Sequence, residues 1–229
     1  MMIKNNKKRY YNILLAIGLI IVTIVGCEKM DDTYYHFENN LGNFNGNAIE
    51  YLQSRGGGYD SMLYAISRVT GLEDSIIAGG VTVFAMPNAS FTLALENLNK
   101  VRQRAIPPRA PLSIATLDSA ELDTLMYRYV IGGLFNTDSI AQFADGLTVE
   151  SLKYDYLMQL QYFHNSSSGY QEGGPEYLEY SDRNESIFER YWVEATTNTV
   201  DIKTNNSYVH ILSPGHGFGF GQIVTRMNK

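Results

Sequence analysis

The amino-acid sequence predicts one α+β domain behind an N-terminal export leader, and two stretches carry the fold prediction. The first, Val81 to Leu98, indicates a strand, a turn and a helix: apolar residues alternate with period two before Pro87 and then recur at helical spacing. The second, Val200 to Leu212, indicates a strand, an Asn-rich turn and another strand. A chain of 229 residues, 45% hydrophobic and 18% charged, is long enough for one sizeable core.

The first 26 residues have the composition of a secretory signal. Four cations lie ahead of an apolar run from Ile13 to Val25, and this run is too short for a confident membrane span. It ends Ile24-Val25-Gly26-Cys27, which resembles a bacterial lipoprotein lipobox with cleavage before Cys27 and lipid attached to the thiol. The alternative is an uncleaved membrane anchor with an incidental cysteine.

The resemblance at Cys27 implies a lipid-anchored protein of the outer membrane, with a tether over 27–46 and the domain over 47–229. The acidic cluster 28–32 resembles tags that send lipoproteins to the cell surface; a merely solvated tether is the alternative. Cys27 is the only cysteine, which leaves none for a disulfide or a Cys-based metal cluster. Without the four leader cations, 14 basic and 24 acidic residues remain, a net charge of about −10 that disfavours nucleic acid and anionic lipid as charge partners.

Three helical segments are expected between the tether and Val81. They are Asn47 to Arg55, a segment capped by Asp60 that ends at Gly71, and Leu72 to Ala78. After the strand at 81–85, Asn88 or Ser90 is a candidate cap for a helix that carries Phe91, Leu95 and Leu98 on its apolar face.

A proline-rich stretch, 106–111, follows this helix, and no helix can cross it. Arg102, Arg104 and Arg109 make it locally basic. We interpret it as a solvated loop, and an anion or partner patch is the alternative.

The second half of the chain predicts mostly strands. Helical segments are expected at Leu117 to Tyr127 and Ile140 to Phe143; strands are expected at Tyr129 to Ile131, from Leu147, at Tyr156 to His164, Tyr177 to Tyr180, Ile187 to Ala195, within Val200 to Leu212, and at Gln222 to Thr225.

Three segments together resemble the fasciclin domain family. Thr82 to Phe91, TVFAMPNASF, is similar to the first family motif, and Asp201 to Pro214, DIKTNNSYVHILSP, to the second. Leu125 to Gly133, LMYRYVIGG, lies where the family has a Leu-Tyr-His-Val-Val-x-Gly segment, so the resemblance covers roughly 48–214. The tail HGFGFGQIV resembles the endings of fasciclin-like lipoproteins found beside bacterial glycan-uptake systems. The resemblance implies a β-wedge with packed helices in one domain.

The chain departs from the family pattern at several positions. Met86-Pro87 stands where the family has Pro-Thr, and Asn206-Ser207 where Asn-Gly is usual. Arg128 takes the place of the family histidine, so adhesion roles assigned to the family's Tyr-His pair do not carry over to Tyr127-Arg128.

The sequence carries none of the common motifs for catalysis, cofactor binding or metal binding. The sequence has no Gly-x-Ser-x-Gly elbow, Walker loop or His-Glu-x-x-His helix, and no cofactor is implied. We interpret His210 as a hydrogen-bonded structural residue; a metal pair with His216 is the alternative. The carboxylates Glu172, Glu176, Glu179 and Asp182 are expected to form a solvated acidic run, with a glycosidase pair as the alternative.

The candidate ligand face is the segment 165–192. It combines Gly and Ser breaks with several aromatic residues, and the candidate binding residues are Tyr170, Tyr177, Tyr180 and Trp192. The sequence thus favours a non-catalytic surface binding or adhesion module, with a role beside a glycan-uptake system as the finer hypothesis. A purely structural protein partner is the alternative, and a glycan hydrolase is the third class. If all four aromatic side chains fill the core, this ligand face does not exist.

The lipobox generates the first prediction. Replacing Cys27 with Ala removes the thiol that would accept the lipid, so Cys27→Ala is expected to stay uncleaved and unlipidated. Globomycin-type inhibition, metabolic labelling with a fatty acid and detergent-phase partitioning measure this. A Cys27→Ala protein that has lost its leader and still partitions into detergent would contradict the prediction.

Overall fold

The computed structural model describes residues 42–165 and 174–229, and contacts group Leu41–Lys229 into one compact unit. Its α-helices are α1 (Ala48–Gln53), α2 (Asp60–Ser67), α3 (Leu72–Ala78), α4 (Asn88–Arg104), α5 (Ser119–Met126), α6 (Thr137–Ile140) and α7 (Ile223–Arg226). The strands are β1 (Val81–Ala85), β2 (Val130–Gly132), β3 (Leu147–Glu150), β4 (Leu157–His164), β5 (Glu176–Asp182), β6 (Val193–Lys203) and β7 (Ser207–Leu212). Short 3-10 helices lie at Ile114–Thr116, Tyr127–Tyr129 and Glu189–Tyr191.

The strands form one sheet in the order β2-β1-β7-β6-β5-β4-β3. β1 and β7 are parallel, and the other neighbouring pairs are antiparallel. The two outer strands approach each other, because Ile131 forms a bridge with Ser151 and Leu152 N–H donates to Val130 O at 2.9 Å. This contact nearly closes the sheet on itself and covers edges that would otherwise expose unpaired backbone groups.

The two stretches that predict the fold lie side by side. Val83 in β1 stands opposite Val209 in β7, and both side chains are completely buried. All five residues of β1 are buried, as expected for a strand with a parallel neighbour that is covered on both faces. The prediction of one α+β domain with helices packed on a wedge of strands is confirmed.

The long helix α4 packs through the face that its spacing predicts. Phe91 and Leu98 are buried, Leu95 is half-buried against the core, and the Phe91 ring stacks on Phe218 with ring centroids 4.8 Å apart. Asn88 does not cap this helix through its side chain. Instead, Asn88 Oδ1 accepts from Ser61 N and Asn88 Nδ2 donates to Gly57 O, so the start of α4 is tied to the loop before α2.

One predicted strand begins too early and another is a helix, and local contacts explain both. In the predicted strand 187–195, Trp192 Nε1 donates to Ser186 O at 2.8 Å, and a 3-10 turn over Glu189–Tyr191 delays the strand until Val193. The predicted strand 222–225 is the short helix α7, which follows left-handed residues at Gly219, Phe220 and Gly221. Asn43 and Phe44, placed by sequence in the tether, pair with Lys203.

The burial of Phe91 generates the second prediction. Its side chain is 1% exposed, so Phe91→Ala leaves a cavity and is expected to lower the free energy of unfolding by about 3–5 kcal/mol. Leu93→Ala, on the same helix at 37% exposure, is the matched control and is expected to change it by less than about 1 kcal/mol. Urea denaturation measures both; equal losses in the two variants would contradict the packing.

Candidate functional site

A pocket of about 410 Å³ opens where the start of β4 and the end of β5 meet the C-terminal tail. We call it the Arg–Asp pocket, after the ion pair at its floor. It is lined by Arg128, Tyr154, Asp155, Tyr156, Leu157, Asp182, Arg183, Asn184, Glu185, Ser186, Ile187, Gln222 and Arg226. This volume lies within the range of about 300–1,000 Å³ that is typical of small-molecule sites.

The floor of the pocket is a buried ion pair between Arg128 Nη1 and Asp182 Oδ2. The two side chains are only 4% and 2% exposed, so each charge needs further polar partners to offset its lost hydration. Asp182 Oδ1 accepts from Asn184 N at 2.8 Å, and the Arg128 guanidinium lies 3.8 Å from the centroid of the Tyr156 ring. The Tyr156 ring and the turn at Asn184 thereby hold the pair in place.

Gln222 connects the ion pair to the tail. Its Oε1 accepts from Arg128 Nη2 at 3.2 Å and from Arg226 Nε at 3.0 Å. Its Nε2 donates to Asp182 Oδ2 and to Asn184 Oδ1, both at 3.3 Å. One amide thus joins two cations and two acceptors, which gives the pocket a continuous polar network.

Arg183 is another cation that lines the pocket. Its Nη1 donates to Thr148 Oγ1 at 3.1 Å, and its guanidinium lies 5.1 Å from the centre of Trp192. Among the described residues, the Nε groups of Arg128 and Arg183 are buried without a hydrogen-bond partner. Buried donors left in this way are uncommon, and functional sites are one place where they occur.

Two turns with left-handed backbone border the pocket. Tyr154 and Asp155 have φ values of 74° and 52°, and Asn184 and Glu185 have values of 49° and 59°. Such conformations cost non-glycine residues about 1–2 kcal/mol each, and strain of this kind concentrates at binding and catalytic sites. The second turn is closed by Ser186 N–H donating to Arg183 O at 2.8 Å.

The tail reaches the pocket because its aromatic residues are anchored in the core. The rings of His216, Phe218 and Phe220 surround Tyr129 with centroid distances of 5.7, 5.9 and 5.1 Å. The Tyr129 hydroxyl accepts from Gly219 N at 2.7 Å and pairs with His216 Nε2 at 2.8 Å. Burial raises the pKa of Tyr129 and lowers the pKa of His216 to about 4, so both groups are neutral near pH 7.

Within residues 42–165 and 174–229, the sequence-predicted aromatic residues do not form one platform. Tyr180 is completely buried and stacks on Phe84 at 3.7 Å, so its proposed role as an exposed binding residue is wrong. Tyr177 is half-buried five residues along β5 from Asp182, a separation of about 16 Å along a strand, and it faces Phe163 instead. Trp192 is half-buried behind Arg183, and Tyr170 lies outside the described residues.

The other predicted polar residues have different positions. His210 is structural, as predicted: Nδ1 accepts from Asp201 N at 3.2 Å and Nε2 lies 2.9 Å from Phe135 O. Burial lowers the pKa of His210. Asp182 forms an ion pair with Arg128. Burial and the nearby Glu194 carboxylate raise the pKa of Glu179. Glu172 lies outside the described residues.

Sequence reasoning missed Arg128, Gln222 and the two left-handed turns as parts of one pocket. One signal was present, since Arg128 is the single charged residue in the apolar run Leu125 to Gly133. Over residues 42–165 and 174–229, no group of three or more His, Cys, Asp or Glu side chains is arranged to hold a metal ion. In the same ranges, no helix is both long and apolar enough to cross a membrane.

No family model matches the chain, and no curated protein matches it. A similar solved structure is a FAS1 domain pair from the insect cell adhesion molecule Fasciclin I, with 17% identity and a TM-score of 0.48. The match covers 73% of this chain and 46% of that one, so this chain spans about half the length of that structure. Membership of the fasciclin family therefore stays a prediction, and the fold rests on the elements described above.

The buried histidine of the tail generates the third prediction. In the unfolded chain His216 binds a proton below a pKa of about 6.5, whereas the folded protein resists protonation down to about 4. The unfolded state therefore gains protons first, and stability is expected to fall as pH drops below 6.5, by about 2 kcal/mol from His216 between pH 7 and 5.

Urea denaturation at pH 7 and pH 5 measures this loss. His216→Gln is expected to reduce the difference between the two pH values, because the titrating group is gone. His164→Gln changes an exposed histidine and serves as the control. An unchanged pH dependence in His216→Gln would contradict the assignment.

Proposed function

We propose that this chain is a non-catalytic surface binding or adhesion module that takes a carbohydrate in the Arg–Asp pocket. The observation that carries the proposal is the pocket itself: a fixed network of planar polar groups beneath a rim of exposed aromatic and aliphatic side chains. Tyr154 is 46% exposed, Leu157 42% and Ile187 77% at this rim.

The chemistry of the lining suits a polyhydroxylated ligand. Sugar hydroxyls both donate and accept, and the pocket offers donors at Arg183 and acceptors at Asp155 and Glu185. Aromatic faces such as Tyr154 pack against the apolar face of a sugar ring at little entropic cost, because only two side-chain torsions are fixed. A pocket that is already formed avoids the cost of ordering its own walls.

A catalytic role has less support from the site. A glycosidase needs two carboxyl groups on either side of the bond that breaks, one of them able to donate a proton. The buried carboxylate of the pocket, Asp182, is already engaged by Arg128, Gln222 and the backbone N–H of Asn184. We therefore assign Asp182 to the support of the pocket.

A second candidate function is a protein-binding surface. Ile187, Phe188 and Tyr191 are 77%, 55% and 52% exposed and follow each other beside the pocket. Exposed apolar groups of this kind are common in protein interfaces. These side chains support the alternative function, in which the module holds an outer-membrane assembly together through protein contacts.

The cellular setting is part of the proposal. The lipobox at Cys27 and the acidic residues after it support a lipid-anchored module on the outer-membrane surface. A place beside a glycan-uptake system is the finer form of this hypothesis, and it rests on the resemblance of the tail His216 to Val224.

The fourth prediction tests the ligand class. The polypeptide 28–229, which contains the whole described core, is screened on a glycan array, and binders are measured by titration calorimetry. Tyr154→Ala is expected to weaken binding about tenfold, because an aromatic contact at the rim is lost. Arg183→Met, which removes a donor but keeps the stem, is expected to weaken it by a similar factor.

Tyr64→Ala is the matched control, since Tyr64 is 47% exposed on α2, away from the pocket lining. It is expected to leave affinity unchanged. Glycan binding that survives both pocket variants would overturn the site. If no glycan on the array binds, and if outer-membrane proteins co-purify with the parent but not with Phe188→Ser, the protein-binding surface is favoured. Turnover of a polysaccharide would favour a hydrolase.

A further inference from the structure

The loop after α4 has an exposed aliphatic residue near its start. Ile106 is 99% exposed, and Pro107 and Pro108 follow it. Single exposed apolar residues are common and by themselves indicate nothing. Ile106 differs because it lies at the tip of a loop that is flanked by Arg104 and Arg109, both exposed.

Positive charge surrounds this tip in an otherwise acidic protein. The two pockets beside the loop are lined by five cations, Lys100, Arg102, Arg109, Arg226 and Lys229, and by three carboxylates, Glu96, Asp118 and Glu121. Arg104 adds a sixth cation at the end of α4. We call Arg104, Ile106 and Arg109, with these neighbouring cations, the basic tip.

Part of this positive charge is not neutralised by the protein. Lys100 pairs with Glu96, and Arg226 and Lys229 share Glu121. In the part of the chain that the structure describes, no carboxylate forms an ion pair with Arg102, Arg104 or Arg109. Arg102 and Arg109 donate instead to backbone carbonyls, which leaves their positive charge uncompensated.

The tip is held in place before any partner arrives. Arg102 Nε donates to Ala110 O at 2.8 Å, and Arg109 N donates to Arg102 O at 2.9 Å. Asn99 closes the far side of the loop, because its amide both donates to and accepts from the backbone of Leu112 at 2.8 Å. A loop fixed on its helix loses little conformational entropy when it docks.

We infer that the basic tip docks on a bilayer that contains anionic lipids, with Ile106 entering the boundary between headgroups and acyl chains. The arginines beside it bind lipid phosphates, and each cation near an anionic surface adds to the attraction. A free phosphate in water would use the arginines but would leave Ile106 exposed, so the combination of the two favours a membrane. The proposal is independent of the carbohydrate site.

The net charge of about −10 does not exclude this docking. At physiological ionic strength, charges more than about 8 Å apart are largely screened, so the local cations decide the attraction near the surface. The overall negative charge then limits contact to the orientation in which the basic tip faces the lipid.

The fifth prediction is tested by vesicle co-sedimentation of the polypeptide 28–229, which lacks the proposed lipid anchor. Binding is expected to phosphatidylcholine vesicles with about one quarter phosphatidylglycerol, and to fall steeply in about 1 M salt, where the Debye length is about 3 Å. Arg104→Gln/Arg109→Gln is expected to lower the partition coefficient by roughly tenfold or more. Ile106→Ser is expected to lower it several-fold.

Matched controls separate the tip from general charge and hydrophobicity. Arg55→Gln/Arg190→Gln removes two exposed cations elsewhere, and Leu134→Ser removes a side chain that is 52% exposed elsewhere; both are expected to bind like the parent. Equal losses in controls and tip variants would overturn the proposal. Binding of inorganic phosphate measured by titration calorimetry, together with no binding to the anionic vesicles, would show an anion site rather than membrane docking.

Insertion of the tip has its own measurement, because Trp192 is the only tryptophan. In a Trp192→Phe background, Ile106→Trp is expected to shift its emission to the blue on anionic vesicles and not on pure phosphatidylcholine. Thermal unfolding confirms that each variant is folded. An unshifted emission in the presence of bound vesicles would overturn the insertion.

Discussion

The parallel pairing of β1 with β7 is the constraint on which the rest of the molecule depends. It joins residues 81–85 to residues 207–211, so most of the domain lies between the two paired strands in sequence. Such a distant pairing is entropically expensive to form, and it is stabilised by a strand whose side chains are buried on both faces. β2 lies on one side of this pair and β6 on the other, which sets the order of the remaining strands.

The candidate site inherits its geometry from this centre. Phe84 of β1 stacks on Tyr180 of β5, and the Tyr180 hydroxyl donates to Arg128 O. The same core contact therefore positions both halves of the buried ion pair, since Asp182 is two residues further along β5. The exposed residues of the rim can be substituted without moving the ion pair at the floor, because the core positions that pair. Binding loops on a rigid scaffold commonly have this arrangement.

The sequence predicts the regular parts of this molecule well, because alternation and helical spacing are local signals. It places β1, α4 and the β6–β7 hairpin, and identifies His210 as structural. The sequence-based prediction fails where contacts between residues far apart in the chain determine the structure. Tyr180 belongs to an ordinary strand pattern, and its contacts with the distant rings of Phe84 and Phe220 make it part of the core. Arg128, Asp182 and Gln222 are 54 and 40 residues apart in turn, so no spacing rule relates them. The strand predicted at 187–195 begins late because Trp192 bonds to Ser186, and the strand predicted at 222–225 is a helix that follows left-handed backbone.

The attachment of Asn43 and Phe44 to the sheet has a mechanical consequence. A pull on the chain from its N-terminal side first loads the Phe44 N–H to Lys203 carbonyl bond of 2.8 Å and the Asn205 N–H to Gly46 carbonyl bond of 2.9 Å. These bonds carry the load before α1 does, because residues 44–46 precede that helix in the chain. The first event under load is thus the release of a short strand-like segment, and this step lengthens the connection while the parallel centre and the pocket remain intact.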